Sequence, residues 1–145
     1  LGVPFALHGA DRPILAALEE SGRTGCMPHG ENPTVDEENE AVASFPIAGV
    51  SERVHHATGN TPGGVIFLFG KEGVFGDTLF RLSVGRTDLG GDAQVYARTL
   101  RDVVLALEDD VVVHCGHGPS TTIGAERREN PFLNGQVAVD GSGYT

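Results

Sequence analysis

The chain has 145 residues, 39% apolar and 21% charged, the composition of one globular domain with room for a core. Twenty acidic against ten basic side chains leave a formal charge of −10, which disfavours nucleic acid and anionic membranes, since both need clustered Lys and Arg. No apolar run nears the ~20 residues of a membrane helix.

The stretch "VPFALH" (3–8) is short, apolar and bounded by glycines, and predicts a buried strand. Opening without Met inside that strand, the chain is expected to begin partway through a domain. Asp11, Pro13 and Gly22 read as the N-cap, first turn and stop of a helix, with Ile14, Leu15 and Leu18 on one face. Residues 23–40 are polar, with two prolines and an acidic cluster, and predict a loop with a solvated face.

From residue 41 the pattern changes to short strands between turns: "AVASFPIAGV" (41–50), "ERVHHA" (52–57), "GGVIFLFG" (63–70) and "EGVFGD" (72–77). In "DAQVYARTLRDVVLAL" (92–107), Tyr96, Leu100, Val103 or Val104, and Leu107 recur at helical spacing behind Asp92 as cap. "DVVVHCG" (110–116) is a nearly all-apolar strand, the pattern of one covered on both faces. "TTIGAERRENP" (121–131) predicts a polar helix halted before Pro131, and the Gly-rich tail 134–145 is expected to fray. The order describes a layered α/β domain.

Two strand ends carry the chemistry. Asp77 follows Gly76, and His117 lies in "CGHG" (115–118), where glycine turns let side chains project into a crevice. Carboxylate and imidazole both suit zinc or iron, yet a catalytic zinc takes three protein ligands and an open position. Taken alone, the pair more often has a structural explanation, a capping Asp and a satisfied turn His. Cys115 offers a soft ligand or simply a small buried side chain. With Cys26 it makes two isolated thiols, which predict a reducing cytoplasm, a single disulfide being the lesser alternative.

"GNTPGG" (59–64), "GDTLFRLSVGRTDLGGD" (76–92) and "GHGPSTTIGAERRENPFL" (116–133) together resemble the C-terminal part of the metallo-β-lactamase superfamily, in its short glyoxalase II-like (hydroxyacylglutathione hydrolase) branch. The resemblance implies part of an αββα sandwich over residues 1–133, incomplete at its N-terminus, with 134–145 as a tail. It implies hydrolysis of a small thioester by a metal-bound hydroxide, with zinc or iron as cofactor. Asp77 would be the bridging carboxylate and His117 a ligand of the second metal. Arg86 and Asp88 would lie on the loop beside the site and support it.

The departures are as informative. The family's His-x-His-x-Asp-His motif is absent among His8, His29, His55, His56, His114 and His117, and is expected upstream of Leu1. The family's "TPGHTPG" stands here as "ATGNTPG", so a ligand histidine is replaced by Asn60, whose neutral amide is a poor zinc ligand. His55, five residues earlier, is a weak substitute for it. The resulting expectation is a truncated or degenerate hydrolase, inactive alone, with zinc or iron held weakly or not at all. The alternative is a non-catalytic association module that pairs through an exposed sheet with a second copy or a missing N-terminal half. A third reading is a single-metal enzyme using Asp77, His117 and a third group.

Overall fold

A computed structural model describes residues 5–23, 34–39, 52–88 and 90–139. The chain divides into two compact units, Leu1–Ala41 and Val42–Thr145. The strand expected over 41–50, Cys26, His29 and the last six residues lie outside the described residues.

In the first unit, strand β1 (Ala6–His8) leads through a 3₁₀ turn (Gly9–Asp11) into helix α1 (Arg12–Arg23). The strand exists but is not buried: Ala6 is exposed, while Leu7 and His8 are half-buried. His8 caps the turn, its Nδ1 accepting from Ala10 N at 3.2 Å. Asp11 ends the turn directly before Arg12, and Gly22 lies inside the helix rather than after it. Leu18, on the apolar face with Ile14 and Leu15, is 59% exposed. Part of the expected polar loop is instead a strand: β2 (Glu37–Asn39) pairs parallel with β1, Ala6 opposite Glu37. Asp36 seals the approach, its Oδ2 accepting from Phe5 N at 2.8 Å.

The second unit is a five-stranded mixed sheet covered by helices on one face. Strands β3 (Glu52–His56), β4 (Val65–Phe69) and β5 (Glu72–Gly76) form an antiparallel meander. A two-strand hairpin follows, β6 (Leu79–Phe80) and β7 (Ser83–Val84). Helix α2 (Ala93–Thr99) starts as expected at Asp92, whose Oδ1 accepts from Val95 N at 2.8 Å. It widens into a π-helical turn over Leu100–Val104, with Leu105 N bonded to Leu100 O, and Leu100 and Val104 are both buried. Strand β8 (Val112–Cys115) pairs parallel with β5, β9 (Thr121–Thr122) closes the edge, and helix α3 (Ile123–Glu129) ends at Asn130 before Pro131.

Alternation sets the faces. Ile66 and Leu68 of β4, Phe75 of β5 and Val113 of β8 point inward and meet Tyr96, Leu100 and Val104, with Ile123 from α3. Each large side chain of this kind contributes about 1.5–3 kcal/mol by leaving water. β8 alternates in burial, with Val113 buried and His114 exposed, so it is covered on one face rather than the expected two. Val137 and Val139 of the tail are half-buried, and Val139 packs against the core.

β5 and β8 are parallel, so Asp77 and His117, which follow them, emerge at the same end of the sheet.

Candidate functional site

β5 ends in an irregularity. The register with β8 shifts between Val74 and Gly76, and Gly76 adopts φ +52, a left-handed conformation that glycine takes without strain. Gly116 N then donates to Gly76 O at 2.7 Å, locking the two strand ends together. Position 116 must be glycine for a second reason: a Cβ there would collide with Asp77 Oδ1. Asp77 and His117 are thereby brought side by side, with 3.8 Å between Oδ1 and Nε2. Both side chains are open to solvent, at 51% and 73% exposure. The His117 ring is backed by Phe80, stacked at 4.2 Å between centroids and 28° between planes.

Asn60 sits in the turn after β3. Its Nδ2 donates to Arg86 O at 2.7 Å, across to the loop after β7. Arg86 in turn forms a fork with Asp88, Nε to Oδ1 at 2.5 Å. The hydrogen bond from Arg86, reinforced by its charge, holds the Asp88 carboxyl below its usual range, and the same pairing raises the Arg86 guanidinium.

Tyr96, read in sequence only as an apolar helix position, is the pivot of these loops. Its hydroxyl accepts from Gly85 N at 2.8 Å and donates to Thr78 O at 2.6 Å, one residue from Asp77. Its backbone and Cβ press so closely on Gly59 that a side chain there would not fit. Burial pushes the phenol well above its ordinary range. A phenol at a buried helical position was the signal available, since a buried hydroxyl needs partners.

The other candidates do not join Asp77 and His117 in a three-donor cluster among the described residues. His55 faces the inner side of β3 opposite Ile66, and its buried Nε2 makes no hydrogen bond among the described residues. Cys115 is a half-buried free thiol whose Sγ leans toward Pro119 O at 3.6 Å, and burial pushes its pKa up. His114 instead meets Glu72 Oε2 at 2.6 Å and Ser120 Oγ at 3.3 Å.

A family model described as the metallo-beta-lactamase superfamily matches residues 3–117. The chain belongs to that superfamily. It is 48% identical over 97 residues to an uncharacterised protein of Mycobacterium tuberculosis and 41% identical over 91 residues to the hydroxyacylglutathione hydrolase GloC of Haemophilus influenzae. Each match takes in 61% of this chain and 43% of the relative, so the chain spans less than half the length of these relatives. The crystal structure of TTHA1623 in a di-iron-bound form superposes with a TM-score of 0.78 at 36% identity, covering 92% of this chain and 66% of that one. The mixed α/β architecture is that of the superfamily's fold.

Do the residues present fit a metal of the kind that neighbour binds? Among the described residues they do not. Among the described residues, no group of three or more His, Cys, Asp and Glu side chains gathers at one point, so neither His55 nor Cys115 completes the pair. Asn60 adds no anionic or imidazole donor, and its amide nitrogen is engaged by Arg86 O. One carboxylate and one imidazole fall short of the three protein ligands that catalytic zinc takes. Among the described residues, no helix is long and apolar enough to cross a membrane.

Proposed function

We propose that the chain is the C-terminal part of a metallo-β-lactamase-fold hydrolase of the glyoxalase II type, cleaving a small thioester, and that these residues alone do not turn it over. Support for the reaction class comes from the likeness to GloC and from Asp77 and His117 sharing one sheet end. Support for inactivity rests on one observation: among the described residues Asp77 and His117 gather no third His, Cys, Asp or Glu, and position 60 carries a neutral amide whose Nδ2 donates to Arg86 O. In this reading Arg86 and Asp88 order the loop at the site's edge. A free thiol at Cys115 accords with a reducing cytoplasm.

The test has two arms. The purified chain, incubated with zinc or iron(II) and desalted, should retain no stoichiometric metal and show no hydrolysis of S-lactoylglutathione. Hydrolysis that depends on His117 would overturn the inactivity. Joined to a segment bearing His-x-His-x-Asp-His, the chain should gain thioester hydrolysis that Asp77→Ala abolishes; no gain in a folded fusion would count against the reaction class.

The association reading keeps one observation in its favour. Val74, on the central strand β5, is an apolar side chain with 45% exposure. If that face pairs copies, the chain will elute as a dimer and Val74→Lys will elute as a monomer.

A further inference from the structure

His117 is open to solvent, so packing alone gives its ring little restraint. What aims it? The stacked Phe80 ring is the close neighbour, and Phe80 closes the β6–β7 hairpin opposite Ser83. That hairpin is an awkward structure. It turns through Arg81 and Leu82, and Leu82 has φ +61, the one non-glycine residue in the left-handed region among those described. A β-carbon there costs about 1–2 kcal/mol, so something must hold the turn in place.

Helix α3 supplies it. Glu126 and the helix-terminal Asn130 lie one turn apart, so both side chains leave the same face. Both are essentially inaccessible to solvent. Glu126 Oε2 accepts from Leu82 N at 2.8 Å, the amide of the left-handed residue itself, and also from Asn130 Nδ2 at 2.8 Å. Glu126 Oε1 accepts from Thr121 Oγ1 at 2.6 Å. Asn130 Nδ2 donates on to Ser83 O at 2.9 Å and reaches Phe80 O at 3.5 Å, while its Oδ1 accepts from Phe132 N at 3.0 Å. The backbone groups that define the tip are therefore bonded to two buried side chains of one helix.

A buried carboxylate is costly unless donors surround it, as Leu82 N, Asn130 Nδ2 and Thr121 Oγ1 do here. An apolar pair at these positions would leave Leu82 N and Ser83 O without these partners, so the two polar side chains specify the arrangement of the turn. We propose that Glu126 and Asn130 are positioning residues for His117: they fix the β6–β7 turn, the turn fixes the Phe80 ring, and the ring holds the imidazole against Asp77. The proposal rests on the hydrolase reading only in that His117 belongs to the site.

The experiment needs neither metal nor substrate, so its failure and that of the hydrolase reading are distinguishable. In the full chain with labelled histidines, the carbon-bound protons of His117 should be shifted upfield by the Phe80 ring current, with His114 as internal control. Phe80→Leu should remove the shift. Glu126→Met and Asn130→Ala should each cut it by roughly half or more, because a stacked geometry lost by an ångström or two loses most of its contact. Glu126→Gln should restore it, since the amide nitrogen can face the Thr121 hydroxyl while the oxygen still accepts from Leu82 N and Asn130 Nδ2. A merely structural role predicts lower stability in urea with the His117 signals unmoved. That outcome in either Glu126→Met or Asn130→Ala, whichever unfolds cooperatively, overturns the proposal, as does an unshifted His117 in the parent chain.

Discussion

Asn60 bridges 2.7 Å to the carbonyl of Arg86, joining the turn after β3 to the loop after β7 with a single hydrogen bond. Asn60→Ala should lower unfolding stability by about 1 kcal/mol, the usual worth of one such bond, and leave zinc affinity unchanged. Asn60→His should also cost stability without metal, yet bring a third donor to the side of Asp77 and His117. Competition titration should then show zinc binding at least ~10-fold tighter than in the parent, with the melting temperature recovering as zinc is added. No gain in affinity would mean that position 60 does not face the pair.

Tyr96 bonds to Gly85 N and Thr78 O through one hydroxyl, so Tyr96→Phe orphans two buried backbone groups. The expected loss is about 1–3 kcal/mol by urea titration. The pH dependence has a definite sign. Burial raises the folded phenol above its ordinary pKa of 10.0, so the unfolded chain ionises first. The contribution is complete below pH ~10 and is lost as pH rises from there towards the folded value. Stability measured from pH 9 to 11.5 should fall more steeply in the parent chain than in Tyr96→Phe. Equal slopes would show that another group governs the alkaline limb.

How far was this legible beforehand? The large helix, its Asp92 cap and strands β3 to β5 follow from period and capping chemistry, and the structure agrees. The 3₁₀ turn ahead of α1 was not signalled, because its cap is the imidazole of His8, which is not one of the usual capping side chains. β2 was hidden in an acidic stretch of low strand propensity and exists through pairing with β1, an interaction at long sequence separation. At the site, the placement of Asp77 and His117 could be inferred from strand ends, but their 3.8 Å approach depends on the Gly76 bulge and on Gly116. Glu126 read as one charge of a polar helix. Only the fold reveals that it faces inward to the Leu82 turn.

The Arg86–Asp88 fork is exposed on both sides, with 52% and 42% of the side chains accessible. Solvent and salt screen such a pair, so Asp88→Asn should leave the melting temperature unchanged within error at physiological ionic strength. Its effect belongs to loop order instead. Amide exchange over residues 85–88 should quicken in Asp88→Asn while the β4 and β8 amides keep their protection. Global loss of protection would instead make the fork part of the folding core.

Gly116 offers a sharper probe of the strand-end geometry. A methyl group there meets Asp77 Oδ1 and the backbone of Gly76, so Gly116→Ala must rotate the carboxylate away or part the two strand ends. The expected cost is about 1–3 kcal/mol, the range for overpacking a tight site. Gly118→Ala is the natural control. Its added methyl has open space around it, but Gly118 has φ +83, so the change strains the backbone without touching Asp77. Both variants should lose stability in urea. Only Gly116→Ala should lengthen the separation between Asp77 Oδ1 and His117 Nε2 in a crystal structure, because only there does the new atom occupy the space that the carboxylate now fills. A Gly116→Ala structure that keeps the pair in place would show that the parallel alignment of β5 and β8 suffices to bring them together.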